Sequence, residues 1–460
     1  MKKIIFLALA ASAALSAPLF AQANPEETAR LRDAALQDNL AWEITEGLTT
    51  EVGQRKAGSD AEARARDWAV ARLEALGFSN VRVETFEVPW WERGEARAEV
   101  VSPFPQSLTL TALGNSGATP PKGLVAEITG FESLAALEAA DPVTIRGKIV
   151  FVTHRMAPAQ DGSPYGPVGN IRRNGPSIAS KKGAVAILIR SIGTDKHRNP
   201  HTGVQEWKDG AQPIPALALA NPDADQLERI IKRGKPVTIS LKVTAKMDGK
   251  RSSGNVIAEI PGRDANAGIV LIGGHLDSWD LGTGAIDDAA GVAITTAAAK
   301  HIMDAGQPLR TIRVVWFGSE EIGLYGGGDY RAKHKGEKHH VLAESDFGAD
   351  RVWRFDTSIA EAALPAMKPL AEALAPLGIV QGRKNGDASG SDISEIQQEG
   401  MAVIELSQDG TRYFDLHHTP DDTLDKIDPA QLHQNVAAWT ALLSVAANDP
   451  VEYGPVSVKK

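Results

Sequence analysis

The sequence predicts an α/β protein of three layers, a mixed but mostly parallel sheet with helices on both faces, interrupted by a β-rich insertion. Three observations predict it. From residue 254 onward, strand-like and helix-like segments alternate, the order that builds a largely parallel sheet between two helical layers. Ala267 to Ile272 is a short continuous apolar run bounded by Asn266 and Gly273–Gly274, as in a strand covered on both faces. Between about residues 100 and 250 the texture changes to short apolar runs among Pro, Gly and Thr, over a stretch of ordinary domain length.

Taken in order, Lys2 and Lys3 precede an apolar, small-residue stretch from Ile4 to Phe20 and then Ala21-Gln22-Ala23. A charged start, an apolar middle and an A-x-A site predict a signal peptide over 1–23 and a mature chain from Asn24. The chain has no cysteine, which excludes disulfides, thiolate metal ligands and a thiol nucleophile. Export without disulfides fits a bacterial protein of the periplasm or the extracellular space. No later stretch is long and apolar enough to span a membrane. The composition, 43% hydrophobic and 23% charged over 460 residues, is that of a globular chain long enough for more than one domain. The net charge of −9, without a basic block, points away from a nucleic-acid partner.

Residues 26–58 predict amphipathic helix giving way to loop around Gly53 to Gly58. Ser59-Asp60-Ala61-Glu62 is a capping-box pattern, and Ala61, Ala65, Trp68, Leu73 and Leu76 keep helical spacing up to a stop at Gly77. Val81 to Val88 alternates as a strand does, and Pro89 is expected to end it. In the insertion, strands are expected at 123–128, 147–153, 184–190, 215–220 and 236–243, with short helices at 177–182 and 222–233. Beyond it, strands are expected at 255–260, 267–272, 310–317, 341–345, 378–381 and 401–406. Helices are expected at 288–303, 360–375, 391–399 and 429–447. Lys333 to His340, with its mixed charges, reads as a solvated loop.

Most of the residues able to carry chemistry follow these strands. In open α/β sheets, ligands bind beyond the carboxyl ends of the strands. His275, Asp287, Glu321, Asp346 and His418 offer two imidazoles and three carboxylates, a donor set suited to a pair of zinc ions if one carboxylate bridges. Asp277, two residues past His275, is placed to orient that imidazole from behind. Glu320 precedes a candidate ligand, and neighbouring side chains point apart, so it is the candidate general base over a metal-activated water.

The strings HLDSWDLGTGAIDDAAG (275–291), FGSEE (317–321), AESDFG (343–348) and HHTPDDT (417–423) resemble the co-catalytic zinc aminopeptidase and glutamate carboxypeptidase family of the aminopeptidase Y type. VPWWERGEA (88–96), NPHTGVQEWKDG (199–210) and SGSDI (389–393) are similar to its branch of secreted dipeptidases. The resemblance implies a zinc-peptidase domain over 24–100 and 250–460, and a protease-associated insertion over 101–249. It implies one zinc on His275 and Asp346, another on Glu321 and His418, and Asp287 bridging. It also implies a cis or strained peptide at Asp287–Asp288, a small-peptide substrate and a homodimer. Relatives carry a Tyr where this chain has His417, so His417 is the candidate donor to the scissile carbonyl, with a supporting role behind the metal as its alternative. Ser391 and Asp392 are expected to line the cleft, where a helix N-terminus would receive a substrate carboxylate. His201 and Trp207 are candidates for a lid. The reaction expected is hydrolysis of unblocked dipeptides. An aminopeptidase of longer peptides is the alternative, and retention of Glu320 and five ligands argues against a single-zinc acyl transferase or a metal-free binding ectodomain.

Overall fold

The computed structural model describes residues 24–37 and 39–456; the expected signal peptide lies outside the described residues. Among the described residues no helix is long and apolar enough to cross a membrane.

An eight-stranded sheet runs in the order Ser79–Glu92, Lys246–Ile260, Thr311–Phe317, Ile269–His275, His339–Glu344, Val403–Gln408, Val352–Ser358, Val380–Asn385. Ile269–His275 is parallel to both its neighbours, and His339–Glu344 is parallel to Val403–Gln408. Antiparallel pairs on either side make the sheet mixed. The apolar run in Ile269–His275 is continuous because both faces are covered. Val270 and Ile272 join a core with helices Leu40–Gly47, Ala290–Ala305 and Pro429–Ala446. Leu271 joins the opposite core with Val315, Leu342, Tyr330, Ile393 and Ile396. Those are the expected three layers. Because the central strands run parallel, His275, Phe317 and Glu344 close their strands at one edge of the sheet.

A second eight-stranded sheet draws its strands from Ala96–Ser102 through Thr238–Val243. It is less purely β than the sequence implies. Leu124–Phe131, Ile149–Val152, Ala186–Arg190 and Ala216–Leu219 are mutually parallel, and helices Tyr165–Lys181 and Asn221–Ile231 pack on the sheet. The 17-residue helix Tyr165–Lys181 is expected only over its last turns, because Gly166, Pro167, Gly169, Gly175 and Pro176 mask its period.

Other departures have physical reasons. Pro89 does not end its strand, which continues to Glu92 with a register shift between Pro89 and Trp91; it is an outer strand, where a missing N–H is tolerated. Helix Tyr325–Lys333 is unexpected because it contains Gly326, Gly327 and Gly328. A Cβ at Gly326 would lie 2.4 Å from the Gly318 carbonyl, and one at Gly327 would lie 2.3 Å from that of Asp392, so close packing requires the glycines. Lys333 to His340 is a loop only over 334–338, where Lys335, Gly336 and Lys338 are exposed; His334 contacts Glu84 and Glu337, and His339 and His340 are buried at the start of a strand.

Candidate metal centre

Past the end of Ile269–His275 the chain makes a loop that returns to helix Ala290–Ala305. Three side chains hold this loop. Asp288 accepts the His275 N–H at 2.9 Å and the Gly291 N–H at 3.0 Å. Asp422 accepts the N–H groups of Ala285 and Ile286 at 2.7 and 2.8 Å. Arg55, fully buried, donates to the carbonyls of Leu276, Thr283 and Gly284 at 2.7, 2.6 and 2.9 Å. The Asp287–Asp288 peptide is cis, at the position the sequence resemblance points to. Arg55, Asp288 and Asp422 are missed as positioning groups by sequence reasoning; a lone Arg in a loop carries no periodic signal.

The loop brings four candidate ligands to Asp287 and its surroundings. His275 Nε2 lies 3.0 Å from Asp287 Oδ1 and 3.4 Å from Asp346 Oδ1. His418 Nε2 lies 2.5 Å from Glu321 Oε2 and 3.3 Å from Asp287 Oδ2. Two sets of donor atoms cluster here, His275 with Asp288 and Asp346, and Asp287 with Glu321 and His418; the contact of His275 Nε2 with Asp287 Oδ1 links the two. Both imidazoles are set with Nε2 facing inward. His275 Nδ1 donates to the Asp277 carbonyl at 2.9 Å and His418 Nδ1 to the Thr202 carbonyl at 3.1 Å. A carbonyl only accepts, so each Nδ1 bears a hydrogen, and Nε2 is the nitrogen that a neutral ring would offer to a metal.

The donor set fits cations. Asp287 Oδ2 and both Glu321 carboxylate oxygens are buried without a hydrogen-bond partner, an expensive arrangement unless a metal satisfies them. Burial pushes Glu320 up, and Asp346 and Glu321 add to the shift. Burial likewise raises Glu321, to about 7. Burial opposes protonation of His275 and His418, but the surrounding carboxylates together outweigh it, Asp346, Asp277 and Asp287 around the first ring and Glu321 and Asp287 around the second. So many carboxylates around two imidazoles is an excess of negative charge that divalent ions would offset.

Asp277 sits behind both ligand-bearing strands. Its Oδ1 is 3.6 Å from His275 Nδ1 and accepts the Glu320 N–H at 3.0 Å, while Oδ2 accepts the Glu321 N–H at 3.4 Å. It therefore fixes the Glu320–Glu321 backbone more directly than it orients the imidazole. His417 stacks on His418 with ring centroids 3.6 Å apart, and its Nε2 lies 3.3 Å from Asp287 Oδ2. Ser391 donates to Asp346 Oδ2 and lines a cavity of about 280 Å3 with Asp346, Glu344 and Arg354. Asp392 differs from expectation: it is fully buried and accepts the Gly327 N–H at 2.8 Å. The N–H groups of Asp392 and Ile393 are both taken by Glu344 at 3.2 Å, so this short helix start has no free donors there for a substrate carboxylate. Of the two lid candidates, His201 reaches the centre and Trp207 instead donates to the Asn115 carbonyl.

An open-edge α/β core with a cluster of His, Asp and Glu at its strand ends defines a zinc-dependent exopeptidase, a class borne out by comparison with known proteins. The pattern of Peptidase family M28 matches residues 255–443. Carboxypeptidase Q of Bos taurus is 34% identical over 413 residues, covering 89% of this chain and 86% of its own length. Carboxypeptidase Q of Homo sapiens is 34% identical over 418 residues, with the same coverage. Among solved structures, a Peptidase M28 precursor from Shewanella amazonensis SB2B superposes with a TM-score of 0.92 at 47% identity, covering 95% of this chain and 99% of that one. A zinc aminopeptidase from Bacillus subtilis shares the fold, with a TM-score of 0.64 at 19% identity over 89% of this chain and 97% of that one. The chain belongs to peptidase family M28.

Proposed function

We propose that this metallopeptidase hydrolyses unblocked dipeptides, and that His275 and Asp346 would hold one zinc ion and Glu321 and His418 another, with Asp287 within reach of both sets. The observation that carries the reading is the split of Asp287, whose two oxygens face different imidazoles. Zinc, when bound, supplies Lewis-acid polarisation of the scissile carbonyl and lowers the pKa of the attacking water. Glu320 takes the proton of that water and delivers it to the leaving amine. Asp277 keeps Glu320 and Glu321 in register by accepting both their N–H groups. His417 donates to the carbonyl oxygen as negative charge develops on it. Ser391 lines the cleft and steadies Asp346.

The second sheet, with strands from Ala96–Ser102 to Thr238–Val243, is read as the protease-associated insertion expected over 101–249 within a peptidase domain expected over 24–100 and 250–460; its strand ends favour boundaries a few residues earlier, between Glu92 and Ala96 and between Val243 and Lys246. The names of the relatives, carboxypeptidase Q, support the exopeptidase specificity. Export by a signal peptide over 1–23 and assembly as a homodimer belong to the same reading, and N-terminal sequencing of the exported protein with sedimentation of the mature chain tests both.

The deciding experiment is hydrolysis of free dipeptides, their C-terminal amides, tripeptides and aminoacyl-nitroanilides, with zinc measured on the same sample. Cleavage confined to free dipeptides is the outcome this reading expects, and about two zincs per chain is what the five-ligand set expects. Equal cleavage of blocked and longer substrates would make the protein a broad aminopeptidase instead.

A further inference from the structure

His417 and His418 are adjacent in sequence and stacked in space, yet hydrogen bonding gives their rings opposite roles. His418 Nδ1 faces the Thr202 carbonyl, which leaves its Nε2 a lone pair for a metal. His417 Nδ1 faces another imidazole, Nδ1 of His201, at 3.4 Å. His201 comes from the segment that carries the second sheet and is buried. Its other nitrogen, Nε2, lies 3.2 Å from Nη1 of Arg172, on helix Tyr165–Lys181.

A guanidinium has five N–H donors and no acceptor. Facing Arg172, His201 Nε2 must therefore present a lone pair. Its hydrogen is then on Nδ1, the nitrogen that faces His417. His417 Nδ1 must accept, so the hydrogen of His417 is on Nε2, the atom 3.3 Å from Asp287 Oδ2. The guanidinium is itself fixed, since Arg172 Nη1 donates to the Thr202 carbonyl at 2.8 Å. Gly203 makes the room: at φ +134, a Cβ there would lie 2.1 Å from Arg172 Nη1 and 2.8 Å from His418 Nδ1. The guanidinium also separates this arrangement from a third metal site, although His201, His417 and His418 are close enough together to hold an ion.

We propose that Arg172 and His201 are positioning residues that lock His417 as an Nε2–H donor aimed at the metal centre, so that the segment bearing the second sheet sets the protonation pattern of the active site. This rests on the reading of His417 as a donor to the scissile carbonyl, and the test separates the two.

The test uses the zinc-loaded mature protein labelled with nitrogen-15 histidine. Long-range nitrogen–proton correlation spectra report which ring nitrogen of His417 bears the hydrogen, with His417→Gln identifying its signals. The expected result is hydrogen on Nε2 in the native protein, and a mixed or Nδ1-protonated ring in His201→Leu and Arg172→Met. His201→Asn keeps an N–H donor near the Nδ1 position and is expected to restore the native pattern. In parallel, His201→Leu should lower kcat by roughly 10- to 100-fold, part of the effect of an oxyanion donor. KM should change less than about threefold and zinc content should be unchanged, since no ligand is touched. Hydrogen on Nδ1 of His417 in the native protein, or a native tautomer retained in both His201→Leu and Arg172→Met, would overturn the proposal. So would a third zinc per chain that is lost in His201→Leu. If the tautomer responds as expected but His417→Gln keeps its kcat, the lock stands and the carbonyl-donor reading fails.

Discussion

Asp287 turns one carboxylate oxygen to each of two imidazoles: Oδ1 lies 3.0 Å from His275 Nε2 and Oδ2 lies 3.3 Å from His418 Nε2. The two rings reach it from distant parts of the chain, His275 from the end of a central strand and His418 from the loop after helix Tyr413–Leu416. A carboxylate shared in this way can serve two cations while offering each one oxygen, and it ties their spacing to the loop that carries it.

That loop makes metal binding part of folding. Chelation of the purified protein is expected to abolish hydrolysis, and zinc, added back, to restore it. Removing zinc leaves buried carboxylates without partners, so the thermal midpoint should fall on chelation and rise with free zinc by mass action. A midpoint indifferent to zinc in a calorimetric titration would count against a built metal site.

Glu320→Gln removes the proton acceptor but none of the candidate ligands. Its kcat is expected to fall by about 10²- to 10⁴-fold, the usual share of a general base. Zinc content should be retained, which elemental analysis checks. Loss of zinc together with activity would instead assign Glu320 to the ligand set.

His417→Gln is expected to lower kcat by about 10²-fold with zinc retained, if Nε2 donates to the developing oxyanion. Steady-state kinetics on a free dipeptide measures this. An unchanged kcat would leave His417 as a support for Asp287 and His418 only.

Arg55 donates to three carbonyls of the loop that carries Asp287. Lys in its place offers a single ammonium in a different geometry. Arg55→Lys is therefore expected to weaken zinc binding by about 10- to 100-fold, as loss of groups supporting metal ligands does. Competition with a chelator of known affinity reads this directly, and unchanged affinity would remove Arg55 from the positioning set.

His340 gives a pH dependence away from the metals. Its two ring nitrogens have no hydrogen-bond partner, it packs at a tilt against Tyr453, and burial, with Arg310 and Lys338, lowers its pKa to about 2. The nearest carboxylate oxygen, on Glu452, is 3.8 Å away. The folded ring stays neutral while the unfolded one protonates below about pH 6.5, so stability falls as pH drops below that value. Between pH 7 and pH 5 this one group should cost about 2 kcal/mol. His340→Phe should lose that part of the dependence, seen in urea midpoints at the two pH values; parallel curves for both proteins would refute it.

Much of this was legible in the chain. The uninterrupted apolar run of Val270, Leu271 and Ile272 announces a strand buried on both faces, because no polar face needs to be spared for water. The same strand order places His275 and the groups following Phe317 and Glu344 at one edge of the sheet. Helices rich in glycine were hidden, because the close approach that requires Gly326 and Gly327 is made by residues remote in sequence. The KHKGEKHH stretch is an exposed loop in its middle, over 334–338, and departs from that reading only at its ends. Its lysines are solvated, while His334 bonds to Glu84 of the outer strand and the strand start buries the last two histidines.

Residue type and local spacing alone determined the α/β class, the strand-end clustering and the donor chemistry, since these depend on periodicity and on which side chains carry lone pairs. Only the tertiary structure decided how those lone pairs are aimed. Two neighbouring histidines look equivalent in sequence, and their roles separate because the Thr202 carbonyl faces one Nδ1 and the His201 imidazole faces the other. Hydrogen-bond direction is set by whatever group the fold brings across from elsewhere, and a linear pattern does not contain that group.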